Sequence, residues 1–185
     1  MNPDVLARAQ EIALGVITNV TPDQLELPTP CEKWKVGDVI GHVTETQHWA
    51  RSLVQGETPE PSTGDGVTGD VAATFAGAAS QSFAAFSEDG ALERIAHTEM
   101  GDMPAAVLLG ILSTDTFTHA WDVAVATGQD TDLDPELAAQ LLEGARQTIP
   151  PAFRSEDGAI FRPEQAAPAG ADAATQLAAF LGRTV

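Results

Sequence analysis

The sequence predicts an all-α protein. Alanine is abundant, tyrosine is absent and runs of β-branched residues are short, a composition that favours helix over sheet. A capping residue followed by proline opens a helical pattern at Asn2-Pro3 and again at Asp134-Pro135, and glycine stops such patterns at Gly56 and Gly128. These start and stop signals divide the chain into segments of helix length.

Apolar residues at helical spacing place six helices along the chain. The first starts at Pro3 and is stopped by Thr21-Pro22, and an extended loop follows over 25–34. The fifth starts at Pro135 and is ended by Pro150-Pro151. The other four are expected at 36–55, 69–86, 104–127 and 171–181.

Three further long connections separate these helices. Residues 57–68 are rich in proline, glycine and polar residues and predict a solvated connection, with a lid over a site as the alternative. Residues 91–103 should be irregular or briefly extended, and residues 152–170 should wrap the bundle. No repeat or low-complexity linker divides the chain, so we expect one domain spanning 1–185.

Charge excludes some partners. The chain has 27 acidic residues against 9 Lys and Arg, a net charge of -18, which repels nucleic acid and anionic membrane surfaces. No window approaches the roughly twenty apolar residues of a membrane span, and the first residues lack the basic start of a signal peptide. The single cysteine, Cys31, agrees with a reducing compartment. We expect a cytoplasmic protein without nucleic-acid or membrane partners.

Asp115 and His119 form the most informative pair in the sequence. They are four residues apart in the fourth predicted helix, so their side chains leave one face a turn apart. Apolar neighbours predict a buried helix, in which an aspartate needs a partner. That partner is either a divalent cation or the histidine alone, and a tetrahedral zinc site would need a further protein ligand.

The remaining histidines differ in their surroundings. His42 lies beside the apolar stripe of the second helix, and Glu45 shares roughly its face three residues later. His48 comes six residues after His42, so it turns away and is expected at the surface. His97 has no helical neighbour at ligand spacing and is expected in a turn or a local strand.

Two motifs resemble a known family. Residues 29–36 (TPCEKWKV) and 39–43 (VIGHV) resemble the opening of DinB-like proteins, whose actinobacterial branch is related to the N-terminal domain of mycothiol-dependent maleylpyruvate isomerase. Residues 115–128 (DTFTHAWDVAVATG) resemble the second motif of that branch, and residues 181–183 (LGR) resemble its C-terminal end. The resemblance covers essentially the whole chain.

The resemblance implies a DinB-like four-helix bundle of the up-down-down-up type with additional C-terminal helices, holding a divalent metal between helices. Carried over by position, the ligands are His42, Asp115 and His119. The isomerase has a glutamate where this chain has Asp115, and the shorter carboxylate moves the metal toward the fourth helix. These ligands suit zinc first, and also nickel, iron or manganese.

The implied activity is a metal-dependent thiol transferase or isomerase that uses a low-molecular-weight thiol, mycothiol by analogy, and an electrophilic substrate. Three protein ligands leave an open metal position for the thiol. The isomerase completes its active site with a further C-terminal domain, whereas the last elements expected in this chain are the extra C-terminal helices. We therefore expect the metal–thiol part alone to carry over, without maleylpyruvate isomerase activity.

Other roles stay open. Glu45 and Asp122 are candidate catalytic carboxylates that either orient a ligand or act as a base, in the thiol reaction or in a metal-dependent hydrolysis; otherwise they are solvated or capping charges. The alternative to an enzyme is a non-catalytic metal or small-molecule binding protein. A structural zinc would be closed by a fourth protein ligand, for which Cys31 is the candidate, although its place in the loop near Trp34 favours packing. The sequence leaves a homodimer open.

Overall fold

The computed structural model describes residues 2–61, 69–99, 101–155 and 161–185. In these ranges the helices are α1 (Pro3–Thr18), α2 (Val36–Gln55), α3 (Val71–Phe86), α4 (Ala105–Thr127), α5 (Pro135–Thr148) and α6 (Ala173–Phe180). Two short antiparallel strands, β1 (Ile95–Thr98) and β2 (Gly101–Pro104), precede α4. The predicted all-α class is confirmed.

The helix boundaries follow the predicted start and stop signals. The Asn2 side chain accepts a hydrogen bond from the Asp4 amide at the start of α1, and Asp134 does the same for Leu137 at the start of α5. Helices α2 and α4 end at glycines in the left-handed conformation, Gly56 and Gly128. Local capping chemistry therefore sets these ends.

Two apolar clusters establish how the four long helices run. One end of the bundle holds the starts of α1 and α4 and the ends of α2 and α3, represented by Leu6, Leu108, Leu53 and Phe86. The other end holds the opposite helix ends, represented by Ile17, Val123, Val36 and Phe75. Helices α1 and α4 are therefore parallel to each other and antiparallel to α2 and α3, which confirms the up-down-down-up bundle.

The C-terminal helices cover one side of the bundle. Helices α5 and α6 pack on α1 and α4 through an apolar cluster that includes Phe117, Trp121, Leu141 and Leu177. The chain returns to the bundle after α6 through Gly182, whose φ is 92°, and a Cβ there would lie 2.7 Å from the Cβ of Arg162. This close approach, which requires glycine, positions the next residue, Arg183, beside α4.

Some connections differ from the expectations. A 3-10 helix, Pro22–Glu26, covers the first two residues of the predicted extended loop, and at its start the side chain of Gln24 accepts a hydrogen bond from the amide of Thr21. Residues 62–68, where most of the predicted lid would lie, are outside the described residues, as are 156–160 of the predicted wrap. None of the described helices has the length and apolar character needed to cross a membrane.

Candidate metal centre

Three predicted ligands meet between α2 and α4. His42 on α2 places its Nε2 3.2 Å from Oδ1 of Asp115 on α4, although the two residues are 73 positions apart in the chain. The Nε2 of His119 lies 3.5 Å from the same oxygen. One ligand atom from each residue lies within 4.8 Å of the other two. The spacing suits a single cation that draws the three atoms inward to coordination distance.

The ring of His119 is held from its other side. Its Nδ1 lies 2.9 Å from Oδ2 of Asp122, one turn along α4. Arg183 donates to both oxygens of Asp122, with Nη2 2.9 Å from Oδ2 and Nε 3.2 Å from Oδ1. When Nδ1 donates its hydrogen to Asp122, the lone pair of Nε2 faces Asp115. This is the tautomer that binding a metal through Nε2 requires.

The carboxylates of the cluster favour a positive charge beside them, either a proton or a metal ion. Burial opposes ionisation of Asp115, but the charge and hydrogen bonds of His119 and His42 outweigh it and hold the pKa of that carboxyl well below its usual range. Burial also opposes the charge on His119, yet Asp115 and Asp122 raise the pKa of its imidazole to about 9. In the metal-free protein a proton on His119 therefore supplies positive charge at neutral pH.

Trp34 forms an aromatic wall of the centre. Its ring centroid lies 4.5 Å from that of His42 and 5.4 Å from that of His119. The loop that carries it is closed by Thr29, whose hydroxyl donates to the carbonyl of Trp34 at 2.8 Å and accepts from the amide of Cys31 at 3.2 Å. The run TPCEKW thus places a large ring over both imidazoles.

Cys31 belongs to a second cluster that shares His119. The Cys31 thiol, a nitrogen of His119 and an oxygen of Asp122 also lie within 4.8 Å of one another. In this cluster, however, Asp122 is already paired with Arg183 and with Nδ1 of His119. Burial raises the pKa of the Cys31 thiol, which disfavours the thiolate that metals bind. The first cluster is therefore the better metal site.

The two candidate catalytic carboxylates have different positions. Asp122 is completely buried and bonded to His119 and Arg183, so it is neither a solvated nor a capping charge. Glu45 is half-buried on α2, one turn after His42, and belongs to neither candidate metal cluster of the described chain. His48 is exposed and His97 lies in β1, as the sequence predicts.

Two contributors to the centre were missed at the level of sequence. Arg183 lies in the LGR motif, which flagged the segment but gave no role to its arginine. The hydroxyl of Thr46 lies 3.3 Å from Oδ2 of Asp115, the carboxylate oxygen that does not face the imidazoles. Its position four residues after His42 on α2 was the signal that could have identified it.

Comparison with known proteins identifies the family of this chain. The model of the family described as the mycothiol maleylpyruvate isomerase N-terminal domain matches residues 6–124, which include the three ligands and Asp122. The chain belongs to this family. Arg183 and helices α5 and α6 lie beyond the matched residues.

Two relatives match this chain over almost its whole length, and both are described as uncharacterized. Two uncharacterized proteins of Mycobacterium tuberculosis, one from strain CDC 1551 / Oshkosh and one from strain H37Rv, are each 40% identical to this chain over 182 residues. Each alignment covers 96% of this chain and 95% of the relative. No solved structure matches the chain. The similarity therefore includes the C-terminal helices α5 and α6 as well as the four-helix bundle.

Proposed function

We propose that this protein is a metal-dependent enzyme that binds one divalent ion through His42, Asp115 and His119 and transfers a low-molecular-weight thiol to an electrophile. The observation that carries the proposal is the convergence of three ligand atoms from two helices on one small volume, with the buried imidazole oriented by Asp122. Zinc is the metal that we propose first for this site, and nickel, iron or manganese also suit two imidazoles and a carboxylate.

The chemistry of the donor set fits this role. A divalent cation held by His42, Asp115 and His119 would supply an open position at which a thiol loses its proton near neutral pH and becomes a nucleophile. The protein supplies the rest: Asp122 and Arg183 fix the ring of His119, and Trp34 shields one side of both imidazoles from water. Mycothiol is proposed as the thiol because the matching family is described by that cosubstrate.

The two carboxylates take separate roles in this proposal. Asp122 orients His119 rather than acting as a base, since both of its oxygens are bonded and its side chain is fully buried. Glu45, one turn after His42 and partly exposed, is the better placed of the two to exchange a proton with a substrate.

A non-catalytic metal site is the second candidate. A structural zinc is normally closed by four protein ligands, whereas the cluster of His42, Asp115 and His119 supplies three and does not include Cys31. The side chains of His42 and Asp115 are 30% and 27% exposed, so one side of the cluster faces solvent. This opening supports a reactive site over a closed structural one. A metal-dependent hydrolase would use the same opening for water.

Spectroscopy of the cobalt-substituted protein, combined with a transfer assay, tests the proposal. We expect about one metal per chain, a new sulfur-to-cobalt absorption band when a small thiol is added, and conjugation of that thiol to 1-chloro-2,4-dinitrobenzene that is lost on metal removal. Binding of cobalt without any response to thiols would favour the non-catalytic role. Hydrolysis without thiol transfer would favour the hydrolase.

A further inference from the structure

We propose that the electrophilic substrate carries an apolar chain or ring, which lies against an exposed apolar strip that leads away from the metal centre along α4. The strip consists of Ile95, Val107 and Ile111. This inference rests on the proposed function and adds the substrate class to it. The reactive group of the substrate meets the metal beside Asp115, and its apolar part extends along the strip.

The strip is a line of neighbouring side chains that ends at a metal ligand. Ile111 precedes Asp115 by four residues and Val107 precedes Ile111 by four, so the three side chains follow one another on one side of α4. Ile95 pairs with Pro104 across the two strands, and Pro104 comes three residues before Val107. With a rise of about 1.5 Å per residue, the line from Val107 to Asp115 covers about 12 Å of helix.

The strip is exposed, although its side chains are apolar. Ile95, Val107 and Ile111 are 50%, 43% and 39% exposed. No charged residue occurs in α4 before Asp115. The outer face of a surface helix is normally polar, as in α5 with its exposed Glu143. In a chain with 27 acidic residues, an exposed face without charge beside a candidate ligand site indicates a surface that binds an apolar group.

Helix α2 borders this surface with an aromatic ring. Helices α2 and α4 are antiparallel, and the hydroxyl of Thr46 lies 3.3 Å from Oδ2 of Asp115. Trp49 follows Thr46 by three residues, so it lies beside the part of α4 that precedes Asp115. There it is half-buried and packs against the apolar cluster that contains Leu108 and Leu112. The apolar surface beside Asp115 therefore extends from α4 onto α2.

Continuity with the metal centre favours a substrate as the molecule that covers the strip. The side chains of His42 and Asp115 are 30% and 27% exposed, so solvent reaches the cluster. Residues four apart on a helix have Cβ atoms about 5–6 Å from each other. A molecule bound to the ion beside Asp115 therefore has the side chain of Ile111 within reach of its apolar part.

Alkyl hydroxamates test the inference, because they join a metal-binding head to an unreactive apolar tail. The quantity measured is the ratio of the Kd of acetohydroxamate to that of octanohydroxamate, each obtained from the change in absorption of the cobalt-substituted protein. We expect octanohydroxamate to bind the wild type roughly tenfold more tightly than acetohydroxamate, since methylene groups that lie against the strip leave water.

Val125 provides a matched control on the same helix. It is 39% exposed, but it comes ten residues after Asp115, on the other side of the metal centre along α4. Val107→Ser should reduce the ratio about threefold, the addition of Ile111→Ser should bring it close to one, and Val125→Ser should leave it at the wild-type value. All three positions are exposed, so the variants should fold.

The outcomes separate this inference from the proposed function. If the wild type binds both hydroxamates equally well, the inference is overturned and the proposed function is unaffected. The inference is also overturned if the substitutions at Val107 and Ile111 leave the ratio unchanged, because the tail then lies elsewhere. A wild-type dimer that these substitutions dissociate would overturn it too, because a second copy then covers the strip. If neither hydroxamate alters the cobalt spectrum, the metal has no open position and both proposals fail.

Discussion

Two polar regions lie side by side in the bundle, and they are built differently. The first, here called the glutamine layer, consists of Gln10, Gln47, Ser82 and Thr116, one residue from each of the four long helices. The second is the candidate metal centre on α2 and α4. The two regions are adjacent along α2 and α4, since Gln47 follows Thr46 and Thr116 follows Asp115.

The glutamine layer is neutral and its side chains are bonded to one another. Gln10 donates to Oε1 of Gln47 at 2.8 Å and to the hydroxyl of Ser82 at 2.9 Å, and Ser82 donates to the same Oε1 at 2.6 Å. The Nε2 of Gln47 donates to Thr116 at 2.9 Å. Such a network fixes the register of four helices without any further component.

The candidate metal centre is charged and, in the proposed function, is completed by a cation. Two imidazoles face one carboxylate oxygen, and a proton on His119 partly balances the charge when no cation is present. Burial of polar side chains alone therefore does not indicate a ligand site. A neutral network with paired side chains is structural, whereas a charged cluster open on one side is suited to a ligand.

The largest expected effect is the loss of metal on changing its ligands. Replacing His42, Asp115 and His119 together with alanine should reduce bound metal from about one per chain to none, because no donor set remains. Elemental analysis of the purified protein measures this. The control replaces His48 and His97, which lie outside the cluster, and should retain the metal. An unchanged metal content in the triple variant would show that the site is elsewhere.

Breaking the glutamine layer should affect stability instead. Gln47→Leu removes the shared partner of Gln10, Ser82 and Thr116 and should lower the free energy of unfolding of the metal-free protein by about 2–4 kcal/mol. Urea denaturation measures the loss, and Gln140→Leu on the exposed face of α5 is the control. The amount of metal bound per folded chain should stay near that of the wild type. Loss of the metal in this variant would show that metal binding depends on the glutamine layer.

A smaller effect is expected at the support of His119. Asp122→Asn keeps the size of the side chain but removes the charge that orients the imidazole and pairs with Arg183. We expect metal affinity to fall by about 10- to 100-fold. Competition with a chelating dye measures it. Arg183→Met should weaken metal binding less, because Asp122 still faces Nδ1 of His119, and the order of the two effects would be reversed if Arg183 were the main support.

The smallest expected effect is the change in apparent metal affinity for each unit of pH. The pKa of His119 is raised to about 9 from 6.5, so the metal must displace a proton below that pH. Apparent affinity should therefore rise by about tenfold per unit from pH 7 to about 9 and then level off. Chelator competition in a series of buffers follows this rise, and a flat profile would mean that His119 is not a ligand.

The same raised pKa makes a prediction for the metal-free fold. A group that binds its proton more tightly in the folded state stabilises that state fully below its unfolded pKa, near 6.5, and the contribution is lost as pH rises through about 9. The urea midpoint of the metal-free protein should fall over this range. The loss caused by Gln47→Leu should be the same at pH 7 and pH 9, because the glutamine layer contains no titratable group.

The sequence by itself determined the helices and predicted that His42, Asp115 and His119 act together as ligands. Caps such as Asn2 and stop residues such as Gly56 act on backbone groups within a few positions, so their effect can be read locally. The Asp115 and His119 pair depends on helical spacing alone, and the family motif supplied His42. The 3-10 turn over Pro22–Glu26 was missed because proline signals fit both a turn and an extended loop.

Only the tertiary structure decided how these side chains are joined. Arg183 reaches Asp122 from 61 positions away, and Gln10 meets Ser82 from 72, through helix packing that local sequence does not encode. The same packing grouped Cys31 with His119 and Asp122 rather than with His42 and Asp115. Local signals fix which residues share a helix face, whereas the partner of that face depends on burying all the apolar stripes together.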